Sequence, residues 1–121
     1  MRTVQADVYC CLTADRGPQD VLVYAAHLFI EGATRSYSER RISLSTEYAA
    51  AAADLPDVAY GALGHIHKPQ SVDRSGFPAY YAGSPLQMDF GETGDTKSVV
   101  LVSARRTRSV IGVLAGRLDS Q

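Results

Sequence analysis

Cysteine occurs twice in this chain and histidine three times, and the scarcity of both narrows the chemistry available to it. Cys10 and Cys11 are adjacent. Neighbouring side chains of a strand point to opposite faces, so the two make a poor pair for a disulfide or a metal. Within the apolar run Val8-Tyr9-Cys10-Cys11-Leu12 they read as small buried thiols, which fits a reducing compartment. No apolar run approaches the ~18–20 residues of a membrane helix. Residues 1–7 lack the charged-then-apolar profile of a secretory signal. The expectation is a cytoplasmic protein with no membrane partner. Charge of one sign is also lacking: the net charge is −1, so the whole-chain balance does not announce a nucleic-acid binder. Arginines gather only locally, at Arg40-Arg41 and at Arg105, Arg106 and Arg108, as a solvated face would have them.

What is present is enough for one domain. The chain has 121 residues, 45% of them apolar, in the range of a single domain with a real core. Residues 21–26, Val-Leu-Val-Tyr-Ala-Ala, follow the turn-like Arg16-Gly17-Pro18 and form a continuously apolar run. That pattern predicts a strand covered on both faces. Leu28-Phe29-Ile30 follows and ends at Gly32. Residues 34–43 are polar and arginine-rich, an exposed loop or edge strand. Ser45 or Thr46 caps a short expected helix running through Tyr48 into the alanine tract 49–53, which Pro56 cannot continue. A second buried strand is expected over residues 58–63. The tail reads as a β-meander, with strands at 80–82, 98–102 and 109–114 and turns at 73–76 and 92–95.

His27, His65 and His67 each lie just past an apolar strand, where open sheets place functional groups. Gly64 permits a sharp change of direction ahead of His65. In an extended segment residues i and i+2 face the same way, so His65 and His67 can present their imidazoles to one site. A single histidine at a strand end is more often structural. Three of them so placed, with none spent elsewhere, favour ligation of zinc, manganese or iron.

The run Gly64-His65-Ile66-His67-Lys68-Pro69-Gln70 resembles the G-H-x-H-x-x-Q signature of the SbcD exonucleases, members of the calcineurin-like metallophosphoesterases. Three further segments resemble that family in the right order. They are Ala26-His27-Leu28 through Gly32-Ala33, Ser36-Tyr37-Ser38-Glu39-Arg40, and Tyr81-Ala82-Gly83-Ser84-Pro85 through Phe90-Gly91-Glu92 and Lys97-Ser98-Val99. The resemblance spans residues 18–102; residues 1–17 match nothing definable. It implies that residues 18–121 are the C-terminal part of a nuclease domain of mixed α/β class, a strand-rich β-sandwich flanked by helices.

The resemblance also implies two divalent ions, commonly manganese, with His27 and His65 on one and His67 on the other. Two cations ~3.5–4 Å apart can grip a scissile phosphate. The loop at Ser84 would line the same cleft, and Lys68 would meet a DNA phosphate. DNA and an SbcC-type ATPase are the implied partners, with a homodimer or heterocomplex as the assembly. The family's D-x-H, G-D-x-x-D and G-N-H-[DE] motifs, which bring the bridging aspartate and a catalytic histidine, are not in this sequence. The expectation is a nuclease half that is inactive alone and holds at most one ion weakly. A non-catalytic remnant or interaction module, and a phosphodiesterase for small substrates, are the competing readings.

Overall fold

A computed structural model of the chain describes residues 14–35, 49–72 and 75–103. Two apolar segments organise it, β1 (Val23–His27) and β4 (Tyr60–Gly64), paired in parallel from Val23 opposite Tyr60 to His27 opposite Gly64. Parallel partners need a crossover connection, and the segment between them carries β2 (Phe29–Ile30) and β3 (Ala49–Ala50), themselves a parallel pair. On the other side of β4 lies β6 (Ala79–Tyr81), also parallel, and β5 (Gln70–Ser71) runs antiparallel to β6. The larger sheet has the order β1-β4-β6-β5.

The register decides which side chains form the core. Leu63 lies opposite Tyr81, and Gly61 opposite Ala79. Leu63, Ala79 and Tyr81 are buried with Ile30, Leu55 and Ile66 in one cluster. Gly61 has a reason to lack a side chain, since a Cβ there would come within 2.9 Å of the Ala79 Cβ. Tyr81, wholly buried, also ties the two sheets together. Its hydroxyl donates to the Leu28 carbonyl and accepts from the Ile30 amide, each at 2.9 Å. Burial pushes the Tyr81 phenol above its ordinary value, and the bond from Ile30 offsets part of the rise. The opposite face of the sheet, with Val23, Tyr60, Ala62 and Tyr80, forms an apolar groove of about 410 Å³ together with Val100 and Val102.

A strand-rich, mixed architecture is what the sequence implied, but four details differ. The strand predicted at 21–26 lies at the edge of the sheet formed by the described residues, with alternating burial, and Val21 and Val23 are exposed. Its outward positions are Val23, Ala25 and His27, and Val23 lines the apolar groove with Val100 and Val102. The alanine tract is divided: Ala49–Ala50 pair with β2, and only Ala52–Asp54 turn, as 3₁₀. The Ala50 carbonyl accepts from the Glu31 amide at 3.0 Å, so sheet pairing overrides the helix propensity of alanine. In the tail, β6 pairs in parallel with β4, and residues 98–102 are not a strand. Among the described residues only β5 and β6 pair as a meander would. Flanking helices are not seen among the described residues, where the helical elements are two 3₁₀ turns, Ala52–Asp54 and Phe90–Glu92. Cys10 and Cys11, the arginine clusters, the 36–40 loop and the strand expected at 109–114 lie outside the described residues. No helix among the described residues is long and apolar enough to cross a membrane.

Candidate functional site

Because β1 and β4 are parallel and in register to their last residues, their C-terminal ends lie side by side. His27 ends β1 opposite Gly64, and His65 follows directly. The His27 and His65 rings meet edge to face, with centroids 5.3 Å apart and planes at 81°. Gly64 makes the approach possible, since a Cβ at that position would sit 3.0 Å from His27 Nδ1. His65 adopts φ +96°, the one described non-glycine residue at positive φ. Strain of this kind costs roughly 1–3 kcal/mol and persists where surroundings or function demand it. Phe29 supports the other side of His65, its ring centroid 6.5 Å away, and the Arg35 guanidinium stacks 4.1 Å over Phe29.

The bend at His65 means that the Gly-His-X-His segment is not extended, yet Ile66 still turns inward and is buried, while His65 and His67 are half-buried. Gln70 clamps the base of the loop. Its side chain accepts from the Thr34 amide at 2.8 Å and donates to the Thr34 carbonyl at 2.6 Å and the Lys68 carbonyl at 3.1 Å. Lys68 itself is exposed.

His67 belongs to a second cluster. The chain after β6 folds against it: Gly83 takes φ +83°, where a Cβ would meet the His67 carbonyl oxygen at 2.7 Å. The Ser84 amide donates to that same oxygen at 3.1 Å. Glu92 closes a 3₁₀ turn capped by the Asp89 carboxylate, and its side chain is fully buried. One oxygen, Oε1, lies 2.8 Å from His67 Nδ1. The other, Oε2, accepts from Lys97 Nζ at 2.6 Å, the Met88 amide at 3.0 Å and Ser84 Oγ at 3.3 Å. Lys97 also donates to Ser84 Oγ at 2.7 Å. A buried carboxylate demands such compensation.

This donor set, imidazoles with one ring held by a carboxylate, is of the kind that binds transition metals. Among the described residues no group of three or more His, Cys, Asp or Glu side chains is arranged to hold a metal ion. The structure brings His27 and His65 together and turns His67 toward Glu92.

No protein-family profile matches the chain. Comparison with curated proteins is more informative. The chain is 44% identical over 86 residues to the SbcD component of the SbcCD nuclease of Bacillus subtilis, covering 70% of this chain and 22% of that protein. It is 38% identical over 89 residues to the SbcD component of the SbcCD nuclease of Escherichia coli strain K12, covering 73% and 22%. The corresponding SbcD protein of Rhodobacter capsulatus matches at 36% over 83 residues, covering 67% and 20%. This chain belongs to the SbcD family. It spans about a fifth of the length of the curated relatives it matches.

Two residues of this SbcD chain to which the sequence assigned no role stand at the centre of the second cluster. Glu92 falls at the start of the turn expected at 92–95 and is buried, and Lys97 is its partner. Both belong to segments that resemble SbcD, the F-G-E and K-S-V stretches, so their positions are marked in the sequence while their roles are not. Ser84 is buried, and its hydroxyl is bonded to Glu92 and Lys97.

Proposed function

We propose that this chain supplies the histidine ligands of the metal centre of an SbcD-type DNA nuclease, with residues 18–121 forming the C-terminal part of its phosphoesterase domain. The observation that carries the reading is the convergence of His27 and His65 at the paired ends of two parallel strands. It occurs in a chain 44% identical over 86 residues to a nuclease component. In this reading His27 and His65 hold one divalent cation and His67 the other. Manganese is the ion that the resemblance to SbcD implies; the imidazoles alone suit zinc or iron as well. When bound, the ions supply charge stabilisation for phosphodiester hydrolysis. Lys68, exposed beside the site, meets a DNA phosphate. Ser84, with its hydroxyl committed to Glu92 and Lys97, acts through the shape of its loop.

The same reading makes the 121 residues inactive by themselves. A bridging carboxylate holds two like-charged ions together, and three neutral imidazoles are no substitute. The chain contains no asparagine, so the asparagine ligand of the G-N-H-[DE] motif must come from other sequence, and the G-D-x-x-D motif that carries the bridging aspartate is not in this sequence either. DNA and an SbcC-type ATPase are the partners proposed for the complete assembly, in a homodimer or heterocomplex within the cytoplasm.

Reconstitution tests the proposal. The chain is combined with a polypeptide carrying D-x-H, G-D-x-x-D and G-N-H-[DE], and degradation of linear duplex DNA is followed with Mn²⁺. Activity is expected only in the mixture, removed by EDTA and by His65→Ala. Cleavage by the chain alone that needs Mn²⁺ and His65 would overturn the claim of incompleteness. A fully active mixture containing His65→Ala would overturn the ligand assignment.

A further inference from the structure

We propose that Glu92 is the positioning residue of His67: it fixes the proton of that imidazole on Nδ1 and thereby points the lone pair of Nε2 toward the cation. The proposal rests on the metal-centre role of His67 and adds to it a residue with no metal contact of its own. The balance of donors and acceptors around the carboxylate decides where the proton sits.

Glu92 Oε2 faces three groups that donate: the Lys97 ammonium at 2.6 Å, the Met88 amide at 3.0 Å and the Ser84 hydroxyl at 3.3 Å. Such a setting holds an ionised carboxylate, and an ionised carboxylate only accepts hydrogen bonds. Its other oxygen lies 2.8 Å from His67 Nδ1, so Nδ1 must be the donor. In a neutral imidazole the second nitrogen then carries the lone pair, and ligation runs through Nε2. Metal-bound histidines are commonly oriented by a carboxylate in this way.

The surrounding geometry makes the arrangement rigid. The Glu92 side chain is fully buried and Lys97 nearly so. The Asp89 cap fixes the 3₁₀ turn that delivers Glu92. The bond from the Ser84 amide to the His67 carbonyl ties the backbone of the histidine to the same loop. A lysine partner alone would neutralise Glu92 wherever it lay. The division of labour between the two oxygens is what singles out His67.

Glu92→Gln gives a near-isosteric test with an inverted outcome. Glutamine has one acceptor oxygen, and three donors compete for it at the Oε2 position. Its NH₂ then faces His67 Nδ1, which must accept, so the ring proton moves to Nε2. Long-range ¹H–¹⁵N spectra of the full chain, recorded without metal on the alkaline side of the ordinary histidine range, read the tautomer directly. The wild-type His67 is expected as Nδ1–H and the Glu92→Gln form as Nε2–H. The apparent Mn²⁺ affinity, read from broadening of the His67 signals, is expected to fall about 10–100-fold. An Nε2–H tautomer in the wild type overturns the proposal even if the variant fails to fold, and so does an unchanged tautomer in a folded Glu92→Gln. If the tautomer inverts but Mn²⁺ broadens His67 in neither protein, the metal-centre role of His67 fails, and the function assigned to Glu92 falls with it.

Discussion

The two histidine-bearing regions of this SbcD relative are built in opposite ways. His27 and His65 stand at the ends of β1 and β4, brought together by strand register and an edge-to-face ring contact. His67 is embedded in side-chain and backbone bonds from the loop after β6, centred on a buried carboxylate. The first region carries backbone strain at His65; the second carries the desolvation of Glu92 and Lys97. Neighbouring ligands of one candidate centre can thus be specified by topology or by a local network. Mutations should tell the two apart: changes in the network are expected to alter stability as well as the proposed cation binding, and changes at the strand ends chiefly the proposed cation binding.

The largest effect is expected at Gly83. Gly83→Ala places a Cβ at φ +83° and 2.7 Å from the His67 carbonyl oxygen. Left-handed strain and overpacking together predict a loss of about 2–5 kcal/mol in urea denaturation; a loss under about 0.5 kcal/mol would show that the loop does not hold His67. Next comes Tyr81→Phe, which leaves the buried Ile30 amide and Leu28 carbonyl without their side-chain partner, for about 1–3 kcal/mol.

Tyr81 also sets a pH dependence. Its folded value is raised above the ordinary 10.0, so the folded state keeps the proton that the unfolded chain gives up. The stabilisation is present below about pH 10 and is lost as pH rises through the folded value. Wild-type stability measured by urea should therefore fall above about pH 10, and Tyr81→Phe should flatten that fall. A steeper decline in the variant would contradict the assignment.

A smaller and opposite effect is expected at the strand ends. His65→Gly should be more stable than His65→Ala by about 1 kcal/mol, because glycine accepts positive φ, while both lose cation binding. Equal stabilities would mean that the bend at His65 carries no strain. Smallest of all is His27→Ala, expected within about 0.5 kcal/mol of wild type in stability, since His27 is exposed. A large loss there would erase the contrast between the regions.

Much of the strand-end region was legible in the sequence. Apolar runs at 21–26 and 58–63 mark β1 and β4, and the positions of His27 and His65 just beyond them follow from strand periodicity and the Gly64 bend. The edge position of β1 was not legible, because an apolar run reads alike whether one face or both are covered. Nor was the division of the alanine tract, where the Glu31–Ala50 bond decides between helix and strand. Glu92 reads as part of a polar turn because a lone acid beside Gly91 and Thr93 gives no sign of burial. Only the meeting with Lys97 and His67, five and twenty-five residues away in sequence, reveals its place.

The proposed histidine-ligated centre is tested most directly by a Mn²⁺ titration of the labelled full chain, with the imidazole signals of all three histidines followed by NMR. His27 and His65 are expected to broaden together at low Mn²⁺, with His67 following, while exposed carboxylates such as Asp20 and Asp57 stay sharp. Broadening at the carboxylates with the histidines unaffected would contradict the assignment of this chain as the source of the imidazole ligands.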